Sequence, residues 1–431
     1  MGISADGLPV AMGNPVPVTA WQRVGHIGWT FGDQVVHAGA NFLLQLVLAR
    51  RLATADYGAF ATANALFFLA IAAHAALVSE PMLVVGARSP VPRDEYRRAL
   101  ALHWGLSAVL VTLAVSALLL LRIGPRFGVA GAAAFAAALV CLLWNWLVRR
   151  ACYLDLRTKG AAASSVAYAI ILLIAFLIWP STIDLVSAFW AIALAAAGAT
   201  VPLHVLLLRS SRSEPGRTFA RGVATSWKSY SRYGRWAILA SIVAWVPLNL
   251  PLLWLAEFRD ETAAAMVRAA LNLSLPMLQI VASASFYLLA ALSRSTPAHQ
   301  RTLLRVFVLG TAILGVLWAV TTTMLGTRAS TWLYGGQYDL TPALLLPIGL
   351  LALTEGLGYM VATGFRANLQ TARTFWPSLG GGVALVGLML LIRAEPVAVA
   401  WAGVAGSSAT LILLLASLKS RTTRPSVSAS R

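Results

Sequence analysis

The chain has 431 residues, 59% of them hydrophobic and only 11% charged, with a mean hydropathy of +0.76. Such proportions exclude a soluble globular domain and describe an integral membrane protein. A formal net charge of +18 would suit a nucleic-acid binder, yet 25 of the 33 Lys and Arg fall on one side once the spans below are drawn. That is the positive-inside pattern, with both termini cytoplasmic, and it leaves no call for a nucleic-acid partner.

Residues 1–22 are rich in Gly, Pro and Ala and lack a basic n-region, so they read as a cytoplasmic segment, not a cleaved leader. The first apolar stretch, Val24 to Ala49, carries Asp33, His37, Asn41 and Gln45 at four-residue intervals, with Gln34 beside them. On an α-helix this ladder drifts by only about 40° per step, which gives one hydrophilic face. Lipid cannot solvate such a face, so it must look into protein or a watery cavity, and its ionisable members become functional candidates. Asp33 and Glu355 are the carboxylates placed deepest in hydrocarbon. They are the candidates for ion coupling, with His37, one turn from Asp33, as its pairing partner.

Eleven further runs have the length and composition of spans. They are Gly58 to Val78, Ala99 to Leu121, Val129 to Val148, Ala161 to Trp179, Leu185 to Leu208, Trp236 to Leu255, Ala265 to Leu292, Val306 to Leu325, Pro342 to Gly364, Phe375 to Ile392 and Val397 to Leu418. Twelve spans divide as six plus six: an N-terminal bundle over 23–208, a basic cytoplasmic linker over 209–235, and a C-terminal bundle over 236–418. A Ser, Thr and Arg-rich tail, 419–431, is expected to be disordered against anionic headgroups. An even number of spans per half makes the halves parallel repeats. A trace of the repeat survives at an offset of 208, where Asn41, Arg51, Thr54 and Asn64 fall on Asn249, Arg259, Thr262 and Asn272.

Polar residues inside these spans supply a wet surface or helix-to-helix bonds. Gln34, Asn41, Gln45, Asn64, Asn249 and Asn272 form that candidate set. Arg268, early in the eighth span, and Arg366, at the end of the tenth, are candidate phosphate ligands; the competing reading for both is a side chain snorkelling to headgroups. Pro247 and Pro251 bracket Asn249 and free backbone carbonyls there. Gly380 to Gly382 lacks the Lys-Ser or Lys-Thr of a phosphate loop and reads as close helix packing, so no nucleotide site is predicted. Two isolated cysteines, Cys141 and Cys152, give neither a disulfide framework nor a thiolate metal site, and no cofactor is expected. The longest outer loop is read as Gly326 to Thr341, about sixteen mostly neutral residues, which is poor ground for the catalytic loop of a membrane polymerase or ligase.

After the first span the sequence runs Leu48-Ala49-Arg50-Arg51-Leu52, a short polar turn, then Tyr57-Gly58-Ala59-Phe60, and Ser79-Glu80-Pro81 closes the second span. These segments resemble the signature of the polysaccharide transport family, the Wzx-type flippases for O-antigen and exopolysaccharide units within the multidrug, oligosaccharidyl-lipid and polysaccharide (MOP) exporter superfamily. The resemblance implies an all-α membrane protein of two six-helix bundles in a V. Such a protein moves undecaprenyl-pyrophosphate-linked oligosaccharide across the bacterial inner membrane by alternating access, coupled to a proton or sodium ion. It implies a transporter, not an enzyme, with polysaccharide polymerase and glycosyltransferases as companions. A cation-coupled multidrug antiporter of the same superfamily stays open as an alternative, as does a membrane glycan polymerase or ligase.

Overall fold

A computed structural model describes residues 20–86, 92–154, 157–178, 183–209, 216–293, 296–368, 370 and 372–419. The N-terminal segment up to residue 19 and the tail beyond 419 lie outside them. Every regular element among the described residues is helical: α1 (Ala20–Arg51), α2 (Thr54–His74), a π-helical turn (Ala75–Ser79), α3 (Glu80–Gly86), α4 (Pro92–Leu120), α5 (Gly124–Leu154), α6 (Thr158–Ile178), α7 (Leu185–Arg209), α8 (Gly216–Phe258), α9 (Glu261–Ser293), α10 (Pro297–Tyr334), α11 (Pro342–Ala367), α12 (Ala372–Leu391) and α13 (Pro396–Lys419). Four helices open on proline, whose fixed φ and missing N–H suit a first turn.

Among the described residues eleven helical segments are long and apolar enough to cross a membrane, α2, the π-turn and α3 counting as one. The polar ladder lowers the hydropathy of α1, which nonetheless spans about 48 Å at 1.5 Å per residue. The twelve expected spans therefore each have a helix, and most helices overrun them. Large apolar side chains such as Leu120, Val129, Leu177, Ile178, Met324 and Leu391 are exposed, as a lipid-facing surface requires.

The basic linker is a correction. Its residues 216–235 continue without a break into the seventh span, so α8 is a 43-residue helix and only 210–215 fall outside the description. The expected outer loop shrinks likewise: α10 runs to Tyr334, and seven residues, 335–341, join it to α11. One extension precedes its span and the other follows it, and neither stretch contains a proline to stop the hydrogen-bond ladder.

Helices α1 and α4 to α7 pack mainly with one another, as do α9 to α13, while α2 lies against α8 and α9 and α1 reaches α9. The seam between the halves is thus built on α1, α2, α8 and α9. Small residues set the tightest crossings. A Cβ on Gly58 would overlap the backbone carbonyl of Glu261, and one on Gly381 would overlap the Gly406 carbonyl of α13. The Gly380 to Gly382 run is accordingly a packing surface.

The sequence repeat has structural counterparts. The corner between α1 and α2 at 52–53 matches that between α8 and α9 at 259–260. Arg51 Nη1 donates to the Phe176 carbonyl in the last turn of α6, and Arg259 Nη1 donates to the Ala394 carbonyl just beyond α12. Asn41 and Asn249 each return Nδ2 to the carbonyl four residues back, His37 at 2.9 Å and Trp245 at 3.0 Å.

Candidate functional site

The ladder on α1 does not form one continuous surface. Its lower rungs turn into the first half. Asp33 is fully buried; Arg149 on α5 grips it with both prongs, Nε to Oδ1 at 3.2 Å and Nη2 to Oδ2 at 2.8 Å. Ser165 on α6 donates to Oδ1 at 2.5 Å, Tyr153 donates to Oδ2, and Gln34 Nε2 approaches Oδ2 at 3.3 Å. The expected partner, His37, is not among these: its ring tilts over Tyr168 with centroids 5.1 Å apart, and its Nδ1 has no hydrogen-bond partner among the described residues. Tyr168 also donates to Asn41 Oδ1. Of the two surroundings open to this face, protein or a watery cavity, Asp33 meets protein in a closed ion pair, because α5 carries a guanidinium to it.

Sequence reading missed Arg149. Ending the fourth span at Val148 assigned it to a basic inner loop, whereas α5 continues to Leu154 and turns Arg149 inward. The signal was available: a carboxylate buried in a bundle requires a counter-ion, and arginine at the end of a facing span can fold back to it.

The upper rung, Gln45, faces the seam. Its Oε1 accepts from Tyr57 Oη and from Arg268 Nε, each at 3.4 Å, and Asn272 Nδ2 donates to Tyr57 Oη at 2.7 Å. Phe68 on α2 lies under the guanidinium of Arg268, 5.7 Å from it. Tyr57, Asn64 and Phe68 recur at helical spacing on one face of α2. Arg268 is 4% exposed, no carboxylate pairs with it among the described residues, and its Nη2 has no partner. Asn64 Nδ2, Asn272 Oδ1 and Ser274 Oγ are also unpartnered. Both residues of the Tyr57-Gly58 pair thus sit on the seam, the tyrosine in this polar network and the glycine at the crossing with α9.

Beyond this network, at the end of the bundle away from the start of α1, the halves are tied together. Arg126 pairs with Asp56 of its own half and with Glu261 across the seam, both at 3.3 Å. The Arg122 amide donates across the seam to Glu257 at 2.9 Å, and within the second half Arg259 pairs with Glu395. From the α10–α11 connection, Gln337 Nε2 and Tyr338 Oη each donate at 3.0 Å to the Leu52 and Ala49 carbonyls at the corner of α1. Burial, with Tyr57 and Tyr334 beside it, pushes the Tyr338 phenol well above its ordinary range, so it remains a donor.

The other candidates lie apart. Glu355 on α11 accepts from Ser407 at 2.5 Å, and no basic side chain pairs with it among the described residues. Arg366 is exposed in the last turn of α11, over the Tyr359 ring, at the opposite end of the bundle from Arg268. Asn249 lies on α8, one turn beyond Trp245, whose indole donates across the seam to the Ala65 carbonyl. No group of three or more His, Cys, Asp or Glu able to hold a metal occurs among the described residues.

No protein-family profile matches the sequence, and no curated protein matches it. Solved structures do match the fold. A multidrug resistance MATE family transporter of the MOP superfamily, inward-facing, superposes with a TM-score of 0.68 at 12% identity, covering 91% of this chain and 96% of that one. The lipid II flippase MurJ in an inward closed conformation gives 0.68 at 15% identity, over 92% and 87%. A MOP superfamily transporter from Pyrococcus furiosus, described as having a binding pocket of reverse polarity, gives 0.65 at 11%, over 95% and 100%. The chain is therefore a multi-pass membrane protein with the fold that these transporters and this flippase share.

Proposed function

We propose that this protein is a flippase that carries an undecaprenyl-pyrophosphate-linked oligosaccharide across the bacterial inner membrane by alternating access, in the assembly of surface polysaccharide. The observation that carries this reading is Arg268: a buried guanidinium on the seam which, among the described residues, has no carboxylate beside it and an unused Nη2 donor. An uncompensated buried cation is costly and calls for an anionic ligand. Pyrophosphate supplies one, and arginine binds phosphate oxygens through its planar fork. Unused amide and hydroxyl groups at Asn64, Asn272 and Ser274 offer hydrogen bonds to sugar hydroxyls. The same charge disfavours a cationic drug, which weighs against the multidrug antiporter within the shared fold.

With the termini in the cytoplasm, the ion pairs around Arg126 close the outer side, and the substrate enters from within. Glu355, whose single hydrogen-bond partner among the described residues is a serine, is the better-placed acceptor for a coupling proton or sodium ion, since the charge of Asp33 is already answered by Arg149. Glycosyltransferases would supply the cargo and a polymerase would receive it.

Binding tests the reading. Undecaprenyl pyrophosphate titrated into the detergent-solubilised protein and followed by native mass spectrometry should saturate wild type and bind Arg268→Gln at least about tenfold more weakly, the scale of one lost charge-assisted bond. Equal binding by the two proteins would remove Arg268 as the phosphate ligand.

A further inference from the structure

The first half of α8 carries a basic stripe that none of the groups above uses. This helix has no acidic residue before Glu257, while Arg221, Lys228, Arg232 and Arg235 are all exposed. On an α-helix these four fall within an arc of about 60°. Among the described residues no carboxylate pairs with any of them.

The opposite face is docked on the first half of the molecule. Gly222, Ser226, Tyr230 and Gly234 recur every four residues, on the far side of the helix from Arg221. A Cβ on Gly222 would come within 2.6 Å of Arg98 Nε, and one on Gly234 within 2.8 Å of the Ala76 carbonyl. Between them, Ser226 Oγ and Tyr230 Oη each donate at 2.8 Å to Oε1 of Glu95, a carboxylate buried in the first turn of α4 and paired also with Arg98. Those contacts fix the rotation of α8 and turn its cations away from protein.

They fix its depth as well. The membrane-length part of α4 begins at Asp94 and that of α8 at Gly234. Glu95 therefore sets Ser226 and Tyr230 level with the edge of the apolar slab, and Lys228, Arg232 and Arg235 lie there over about 10 Å of helix. Trp227 and Trp236, both partly exposed, flank the stripe, as indoles do at a membrane interface. One to two turns further into the span, Leu239 and Ile242 are exposed within about 60° of the same line, in position to face acyl chains. The stripe thus continues a lipid-facing surface on one unbroken helix, and headgroups cover what lies beneath acyl chains. A row of cations with no acid among them favours headgroups of net negative charge, whose phosphate oxygens accept charge-assisted hydrogen bonds.

We propose that the face of α8 bearing Arg221, Lys228, Arg232 and Arg235 is a binding surface for anionic phospholipid. Lipid there holds from outside the helix end that Glu95 holds from within. The surface involves neither cargo nor coupling ion and stands apart from the transport reading.

Native mass spectrometry of the full chain in neutral detergent, titrated with phosphatidylglycerol or with phosphatidylcholine of the same acyl length, tests it. A cation beside an anionic headgroup is worth about fivefold in affinity, which is about 1 kcal/mol. Wild type should therefore prefer phosphatidylglycerol by at least about tenfold, and replacing Lys228, Arg232 and Arg235 together by Gln should abolish that preference. Arg301 and Arg305 on α10 and Arg373 on α12 are exposed at the same end of the bundle. Replacing these three by Gln removes as much charge and should leave the preference within about twofold of wild type. Should the α8 variant fail to fold, wild type with a photoactivatable phosphatidylglycerol decides instead, and its crosslinks should map to residues 221–239. Equal binding of the two lipids by wild type, an unchanged preference in the α8 variant, an equal loss in the control variant, or crosslinks spread over the other helix ends would each overturn the proposal.

Discussion

Replacing Asp33 by Asn removes the negative member of an ion pair that has essentially no contact with solvent. The amide keeps the shape, but the Arg149 guanidinium is left as a buried charge, and the Ser165 and Tyr153 hydroxyls lose an anionic acceptor. Breaking a buried pair in this way costs about 3–5 kcal/mol, more than the pair adds relative to apolar residues of the same size. Asp33→Asn should therefore lower thermal stability sharply, and Arg149→Met should do the same. The double replacement Asp33→Leu with Arg149→Met should recover most of the loss, giving a coupling energy of at least about 2 kcal/mol. Equilibrium unfolding of the purified protein in mixed micelles measures all three. Additive losses, or an Asp33→Asn protein within about 1 kcal/mol of wild type, would refute a closed ion pair. The folded double variant also isolates function: if it still transports, the charge on Asp33 is structural and coupling resides elsewhere.

Three further outcomes are expected. Gly58→Val should prevent the crossing of α2 over the Glu261 backbone, so spin labels on the two halves should read longer distances across the corner, or folded protein should be lost. Arg126→Gln should change stability little, since this half-exposed pair is worth about 0–1 kcal/mol, yet raise cysteine accessibility at the corner by loosening the tie between Asp56 and Glu261; high salt should mimic it. Asp184 caps α7 through the Ser187 amide, and hydrogen bonds from Ser187 hold its carboxyl below the usual range. A depressed carboxylate stabilises above its unfolded pKa and ceases to as pH falls through the lowered value. Asp184→Ala should thus cost about 1 kcal/mol at neutral pH and nothing in strong acid, seen in melting profiles at the two pH values.

The fold was legible because hydrocarbon-length runs are unambiguous: each expected span contains a helix, and even the faint repeat of Arg51 and Arg259 corresponds to two equivalent backbone contacts. Span ends were not, since a helix can outrun its apolar stretch into charged residues, as α5 does to carry Arg149 and α8 does through the linker. The polar ladder was seen as one surface because spacing gives only direction around an axis. What each rung meets depends on its depth, and Asp33 and Gln45 are about 18 Å apart along α1. Arg268, Gln45, Tyr57 and Asn272 lie on three helices and converge only after packing.

Proteoliposomes loaded with a fluorescent undecaprenyl-pyrophosphate saccharide, quenched from outside by an impermeant reductant, report flipping directly. Wild type should carry the label across the bilayer, Arg268→Lys should retain part of the rate, and Arg268→Gln should fall to the level of empty vesicles. An Arg268→Gln protein that flips the lipid at the wild-type rate would contradict the account, as would a wild type that moves only cationic dyes.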